Sequence, residues 1–135
     1  MNEMNTALYS KLQNGTAITS LLSGTTAIYS LQAPDNASMP FIVFNLQGGG
    51  DENLDPHRTK NLVYYIRAYS QVSEAQAGSI DAAIDATLHL GSLSVSGWSS
   101  FWLAREVDIT AIENLPNGEK VYACGGMYRV RIEDT

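Results

Sequence analysis

The sequence contains one cysteine and two histidines, and this scarcity limits the chemistry that it can carry. A lone Cys124 excludes an internal disulfide and any zinc site built from several cysteines. Nucleophilic catalysis needs a base within reach of the nucleophile, most often a histidine. His57 lies in a glycine-rich segment and His89 at the predicted end of a helix, and neither belongs to a recognisable catalytic arrangement. We therefore expect no catalytic residues, no metal and no cofactor, and a protein that is not an enzyme.

Basic residues and long apolar runs are also scarce. Eight Lys and Arg stand against fourteen Asp and Glu, giving a net charge of −6. Proteins that grip DNA phosphates need clustered basic residues, and none are present. No apolar stretch approaches the ~20 residues of a membrane-spanning helix, and the N-terminus lacks the pattern of a secretory signal. We expect no membrane association, no stable binding to nucleic acid, and synthesis in the cytoplasm.

The length and composition indicate one soluble globular domain. A chain of 135 residues buries roughly two-thirds of its unfolded surface, which is enough for a core without disulfides. The charged fraction is only 16%, which leaves more neutral surface than usual. Interface centres are depleted in charge, so this composition favours an assembling protein. Without repeats or linkers, the sequence predicts a single domain over residues 1–135.

Hydrophobic periodicity predicts a few helices and many strands. Helical spacing occurs at 4–13, at 17–22 and in a longer helix from Ser73 to about residue 90. Alternation or β-rich composition predicts strands at 27–29, 41–46, 60–69, 93–97, 101–109 and 120–132. This order predicts an α+β fold, an antiparallel β-sheet packed on one face by the long helix of about 73–90, plus short N-terminal helices.

Two strand details are specific enough to test. Alternation in the fifth strand places Phe101, Leu103, Val107 and Ile109 inward. The glycine pair at 125–126 in the middle of the last strand predicts a β-bulge.

The segment 47–59 is rich in glycine and in charge. Three consecutive glycines are costly to order, so the segment is predicted to be a mobile hairpin loop. Its acids do not have the alternating spacing of a calcium-binding loop, and its glycines lack the Gly-Lys-Ser/Thr ending of a phosphate-binding loop. After the glycines, the charged residues of this segment are Asp51, Glu52, Asp55, His57 and Arg58.

Arginines and aromatics in the predicted strands are the remaining candidates for function. Arg67, Arg105, Arg129 and Arg131 lie within strands, where they are either exposed to solvent or paired with acids of a neighbouring subunit. Large aromatics such as Tyr65 dominate interface energetics when they have no core to join. The predicted subunit or partner interface comprises Asp51, Glu52, Asp55, His57, Arg58, Lys60, Tyr65, Arg67, Arg105, Arg129 and Arg131.

Short segments in a particular order carry a family resemblance. They are ALYSKL at 7–12, LLSG at 21–24, IY at 28–29, QAP at 32–34, PFIVF at 40–44, SEA at 73–75 and YRVRI at 128–132, with a glycine- and acid-containing loop before the long strand. In this order and spacing, the sequence resembles the small tail completion proteins of long-tailed phages. That family includes tail-to-head joining and tail-terminator subunits.

The resemblance implies a function without chemistry. Members of the family have an α+β fold and form hexameric rings that end the tail tube and join the tail to the head. The implied partners are further copies of the chain, the tail tube protein and the head–tail connector or stopper protein. DNA would pass through the ring without sequence-specific binding, and the protein would reside in the tail or neck of the virion. The alternatives are a head-completion stopper or other minor tail ring protein, and a small bacterial accessory domain whose apolar strand face lines a ligand pocket.

Overall fold

The computed structural model describes residues 2–52 and 58–135, and over these residues it contains three helices and six strands. The helices are α1 Asn2–Asn14, α2 Thr16–Thr19 and α3 Glu74–Leu88. The strands are β1 Ile28–Ser30, β2 Phe41–Asp51, β3 Thr59–Ser70, β4 Ser94–Val95, β5 Trp98–Asn114 and β6 Lys120–Asp134.

The strands form one mixed sheet in the order β1-β2-β3-β6-β5-β4. The α+β class is as predicted, but the sheet is not wholly antiparallel, because β1 pairs with β2 in parallel. Parallel neighbours need a longer connection than the tight turn that can join antiparallel strands. Residues 31–40 provide it by returning the chain to the end of the sheet where β1 began. The other neighbouring pairs are antiparallel.

Apolar side chains of helices and strands meet in one cluster. On β3 and β6, alternate residues such as Tyr64 and Tyr128 are fully buried, as their period of two requires. Ile80, Ile84 and Leu88 of α3 join them, together with apolar residues of α1. The helix α3 is shorter than the predicted 73–90. It begins after Ser73, whose hydroxyl accepts a hydrogen bond from the backbone NH of Gln76.

The three glycines of the predicted loop belong to β2. Gly48, Gly49 and Gly50 pair with β3, and Gly49 lies opposite Leu62. Gly49 has a φ of +103°, and a Cβ there would lie 2.1 Å from the carbonyl oxygen of Asn61. The predicted mobile loop at 47–59 is therefore wrong for 47–51 and for Thr59, which lie in strands. Residues 53–57, including Asp55 and His57, lie outside the described residues.

The predicted inward face of β5 is wrong except at Leu103. Leu103 is buried, whereas Phe101 and Val107 are 50% and 49% exposed and Ile109 is half-buried. The pairing with β6 shifts register between Ser100 and Trp102, and again between Arg105 and Val107. Each extra residue changes which side chains face the core, and alternation alone does not reveal these shifts.

The glycine pair in β6 does not form the predicted bulge. Gly125 and Gly126 pair in continuous register with β3 on one side and with β5 on the other. A Cβ on Gly125 would lie 2.3 Å from the carbonyl oxygen of Ile66. A Cβ on Gly126 would lie 2.6 Å from Nε of Arg105. The glycines therefore provide space for a neighbouring backbone and for a guanidinium group.

Candidate functional site

The sheet face opposite the apolar cluster carries arginines and aromatic rings from β3, β6 and β5. Residues of β3 and β6 on this face alternate with the buried ones, and the first register shift in β5 adds two aromatics. We call this surface the arginine face and define it by Tyr65, Arg67, Phe101, Trp102, Arg129 and Arg131. Tryptophan, tyrosine and arginine are the residues most often found at the energetic centres of protein interfaces.

Arg131 and Arg129 are held by acids of the same chain. Both carboxylate oxygens of Glu52 accept hydrogen bonds from Arg131, each at 3.0 Å, in the fork geometry that suits a guanidinium. The guanidinium of Arg131 also lies 5.2 Å from the ring centre of Phe101. Arg129 donates to Glu106 at 2.9 Å and to the amide oxygen of Asn61 at 2.7 Å. Free exposure to solvent, the first alternative that the sequence left open, therefore does not describe these two arginines, and pairing with a neighbouring subunit stays a prediction.

Arg67 lies against aromatic rings further along β3. It donates to the amide oxygen of Asn45 at 2.6 Å and to the hydroxyl of Tyr69 at 2.8 Å. Its guanidinium carbon lies 4.5 Å from the ring centre of Tyr65, within the range of a cation–π contact. Burial raises the pKa of Tyr65, while the charge of Arg67 opposes that rise. The arginine face is therefore ordered by contacts within the chain.

Arg105 is separated from the other predicted interface arginines. Its guanidinium lies on the helix side of the sheet, where Asp81 of α3 accepts two hydrogen bonds from it at 2.7 and 2.8 Å. Asp108 accepts a third at 2.6 Å and Tyr128 a fourth at 3.2 Å. The hydrogen bonds to Asp81, followed by those to Tyr128 and Asp108, raise the pKa of Arg105 against the opposing effect of burial. With 11% of its side chain exposed, Arg105 holds α3 onto the sheet.

The end of the β2–β3 pair carries a small charged cluster. Asp51 contacts Arg58 at 2.7 Å and Lys60 at 2.8 Å. The hydrogen bonds from these two cations lower the pKa of Asp51 to about 2. The structure thus brings together three of the predicted interface residues. It places Glu52 beside Arg131 instead.

A groove of about 700 Å³ runs between α3 and the outer part of β5. Asp81 and Asp85, which lie four residues apart on α3, contribute to its wall, and Asp108 does so from β5. The contribution of β5 to this wall depends on its register shift, which alternation in the sequence does not reveal. The groove is open and is lined by both charged and apolar residues, unlike the dry apolar cavity expected of a ligand-carrying domain.

Within the described residues, no group of three or more histidine, cysteine, aspartate or glutamate residues is placed to hold a metal ion. None of the helices described is long and apolar enough to cross a membrane.

The chain is a small α+β protein whose sheet carries an ordered surface of arginines and aromatics. The family model for tail completion protein gp17 matches residues 6–116 of the chain. The chain therefore belongs to this family of structural phage-tail proteins.

Solved structures share the fold at low sequence identity. A chain from the "Virion of native gene transfer agent (GTA) particle" is 16% identical with a TM-score of 0.79, and the match covers 96% of this chain and 94% of that one. A second solved protein is 13% identical with a TM-score of 0.58 and the same coverage of both chains. No curated protein matches the sequence significantly.

Proposed function

We propose that the chain is a ring-forming subunit of the phage neck that ends the tail tube and joins the tail to the head connector. The ring is hexameric, each copy contributes one domain spanning residues 1–135, and the role is structural and not catalytic. The observation that carries the proposal is membership of the tail completion family over residues 6–116.

The size and charge of the chain suit a ring around DNA. A domain of 135 residues has a diameter of about 36 Å, and six touching spheres leave a central opening of about the same width. That opening admits a DNA duplex even when loops narrow it. Six copies with a net charge of −6 each repel phosphates, so DNA passes without sequence-specific binding.

The arginine face is the surface that we assign to the tail tube. Binding is weakened when long side chains must be immobilised, at roughly 0.5–1.5 kcal/mol for each. Arg67, Arg129 and Arg131 are already held by partners in the chain, so less entropy is lost when another protein covers them. Phe101 and Trp102 beside them offer apolar area that the core does not use. A preordered surface of this composition suits contact with the last ring of the tube.

Electron microscopy of particles made without this protein tests the proposal. Overlong tubes would show that the chain terminates the tail. Unattached tubes of normal length would show that it joins the tail to the head, and tailless heads that leak DNA would favour a head-completion stopper. Normal infectious particles would contradict all three roles.

A further inference from the structure

The outer edge of β5 is largely unpaired. Beyond β5, the short strand β4 pairs only with Trp98 and Ser99. The backbone NH of Leu90 then donates to the carbonyl of Leu103 at 2.7 Å, and His89 accepts from the NH of Arg105 at 3.0 Å. From residue 106 to residue 114, no backbone group of a described residue pairs with this edge.

A second open edge lies at the other side of the sheet. The strand β1 pairs with β2 only at Ile42, Val43 and Phe44. The NH of Leu31 donates to the carbonyl of Phe44 at 2.9 Å, after which the described residues leave 46–51 of β2 without an outer neighbour. The chain therefore presents two different strand edges on opposite sides of the body formed by β2, β3, β6 and β5.

Within the described residues, no segment covers either open edge. Unpaired NH and CO groups bind another strand, and soluble proteins oppose this with lysine, proline, bulges or a covering segment. Residues 106–114 contain neither lysine nor proline, and the side chain of Ile112 is more than half exposed.

The glycines of β2 also favour contact with a strand of another chain. A Cβ on Gly48 or Gly50 would meet nothing within 4 Å, so packing within the chain does not require glycine at either position. Glycine in a strand permits close approach by another backbone.

We propose that 106–114 of β5 in one copy pairs with 46–51 of β2 in the next copy. The inference rests on the proposed ring, because a cyclic assembly needs two different complementary patches on each subunit. Charge does not oppose this pairing, because the carboxylate of Asp51 at the end of β2 is held by Arg58 and Lys60, and that of Asp108 on β5 is held by Arg105.

Site-directed cross-linking tests the interface. In a Cys124→Ala background, Gly50→Cys and Ile112→Cys are made singly and together, and the full chain is treated with a bismaleimide. The treatment is applied both to concentrated protein and to assembled tails. The double variant is expected to give a ladder of cross-linked multimers, while each single variant stays monomeric on a denaturing gel. Unchanged far-ultraviolet circular dichroism verifies the fold of each variant.

The possible failures are distinguishable. Cross-linked dimers of the single Ile112→Cys variant would show that β5 pairs with β5, which overturns the pairing proposed here. Native mass spectrometry that finds rings while the double variant does not cross-link would overturn the edge pairing but leave the ring intact. Monomers at every concentration, with no multimer in tails, would remove the proposed function as well.

Discussion

Arg105 shows how one side chain joins three elements. It extends from β5 to Asp81 of α3 and to Tyr128 of β6, and Gly126 leaves it the necessary space. A guanidinium suits this position because its fork makes several hydrogen bonds in fixed directions. The acidic wall of the groove therefore surrounds Arg105, whose charge is already balanced by Asp81.

Replacing Arg105 with alanine should destabilise the fold. Asp81 would remain largely buried without its cation, and such a loss costs about 3 kcal/mol. The free energy of unfolding, measured by urea titration, should fall accordingly. Arg58→Ala is the matched control, because its salt bridge with Asp51 is exposed to solvent. Equal effects of the two substitutions would refute the structural role given to Arg105.

The raised pKa of Tyr64 predicts that the folded protein loses stability in alkali. Burial raises its pKa to about 12, while an unfolded tyrosine ionises near pH 10. Between these values the unfolded chain has lost the proton that the folded chain still binds, so stability is full below pH 10 and falls as pH rises.

Comparison with Tyr64→Phe isolates this effect. The variant loses the hydrogen bond from Tyr64 to Asn5, 2.8 Å long, at a cost of about 1 kcal/mol at pH 7. Because phenylalanine does not ionise, the deficit should shrink by about 1 kcal/mol between pH 10 and pH 11. Urea titrations of both proteins at each pH measure this deficit in the free energy of unfolding. A deficit that stays constant would mean that Tyr64 ionises in the folded protein as freely as in the unfolded one.

At the scale of elements, the glycines of β2 have unequal roles. Gly49 has a positive φ and no room for a Cβ, whereas Gly50 has open space around it. Gly49→Ala should therefore lower the free energy of unfolding by at least about 2 kcal/mol. Gly50→Ala, the control, should change it by less than about 0.5 kcal/mol. Thermal or urea unfolding measures both, and a tolerated Gly49→Ala would show that β2 does not keep its pairing with β3.

Elements with regular periodicity could be predicted from the sequence. Helical spacing predicted α3, and alternation or β-rich composition predicted β3 and β6. The course of β1 and the register of β5 could not be predicted, because both depend on which strands become neighbours. The glycines at 48–50 were misread for the same reason. Their cost in entropy is local, whereas their pairing with β3 is a long-range contact.

The candidate site was predictable in composition but not in its pairing. Arginines and Tyr65 within the strands predicted an interacting surface, and Arg105 lies on the other side of the sheet from the rest. Their partners Glu52, Asn61 and Glu106 lie far away in sequence and meet them only in the folded sheet. Phe101 was assigned to the core because the register shift beside it has no signature in the alternation.

At the scale of the whole molecule, the two proposals give the faces and the edges of the sheet different roles in assembly. In the proposed assembly, the arginine face binds a tail partner, while the open edges of β2 and β5 pair with further copies. These surfaces point in different directions, since side chains stand perpendicular to a sheet and its backbone groups lie in its plane. A subunit built in this way can hold its neighbours in a ring and still present one face to the tube.

Removing the aromatics of the arginine face should separate assembly from folding. Phe101→Ser together with Trp102→Ser removes side chains that are 50% and 44% exposed, so the free energy of unfolding should fall by only about 1 kcal/mol. Tail-to-head joining, counted in micrographs of negatively stained particles, should nevertheless be lost, because Trp and Arg at an interface centre carry most of its binding energy.

The matched control is Val72→Ser, which removes an apolar side chain that is 74% exposed between β3 and α3 and is not among the residues that define the arginine face. This variant should join tails to heads at the normal frequency. Cross-linking through the β2 and β5 edges should persist in the aromatic double variant, since the ring contacts do not use Phe101 or Trp102. If the double variant joins tails as well as the control does, the tube must bind another surface, and the preordered arginines would serve only to stabilise the sheet.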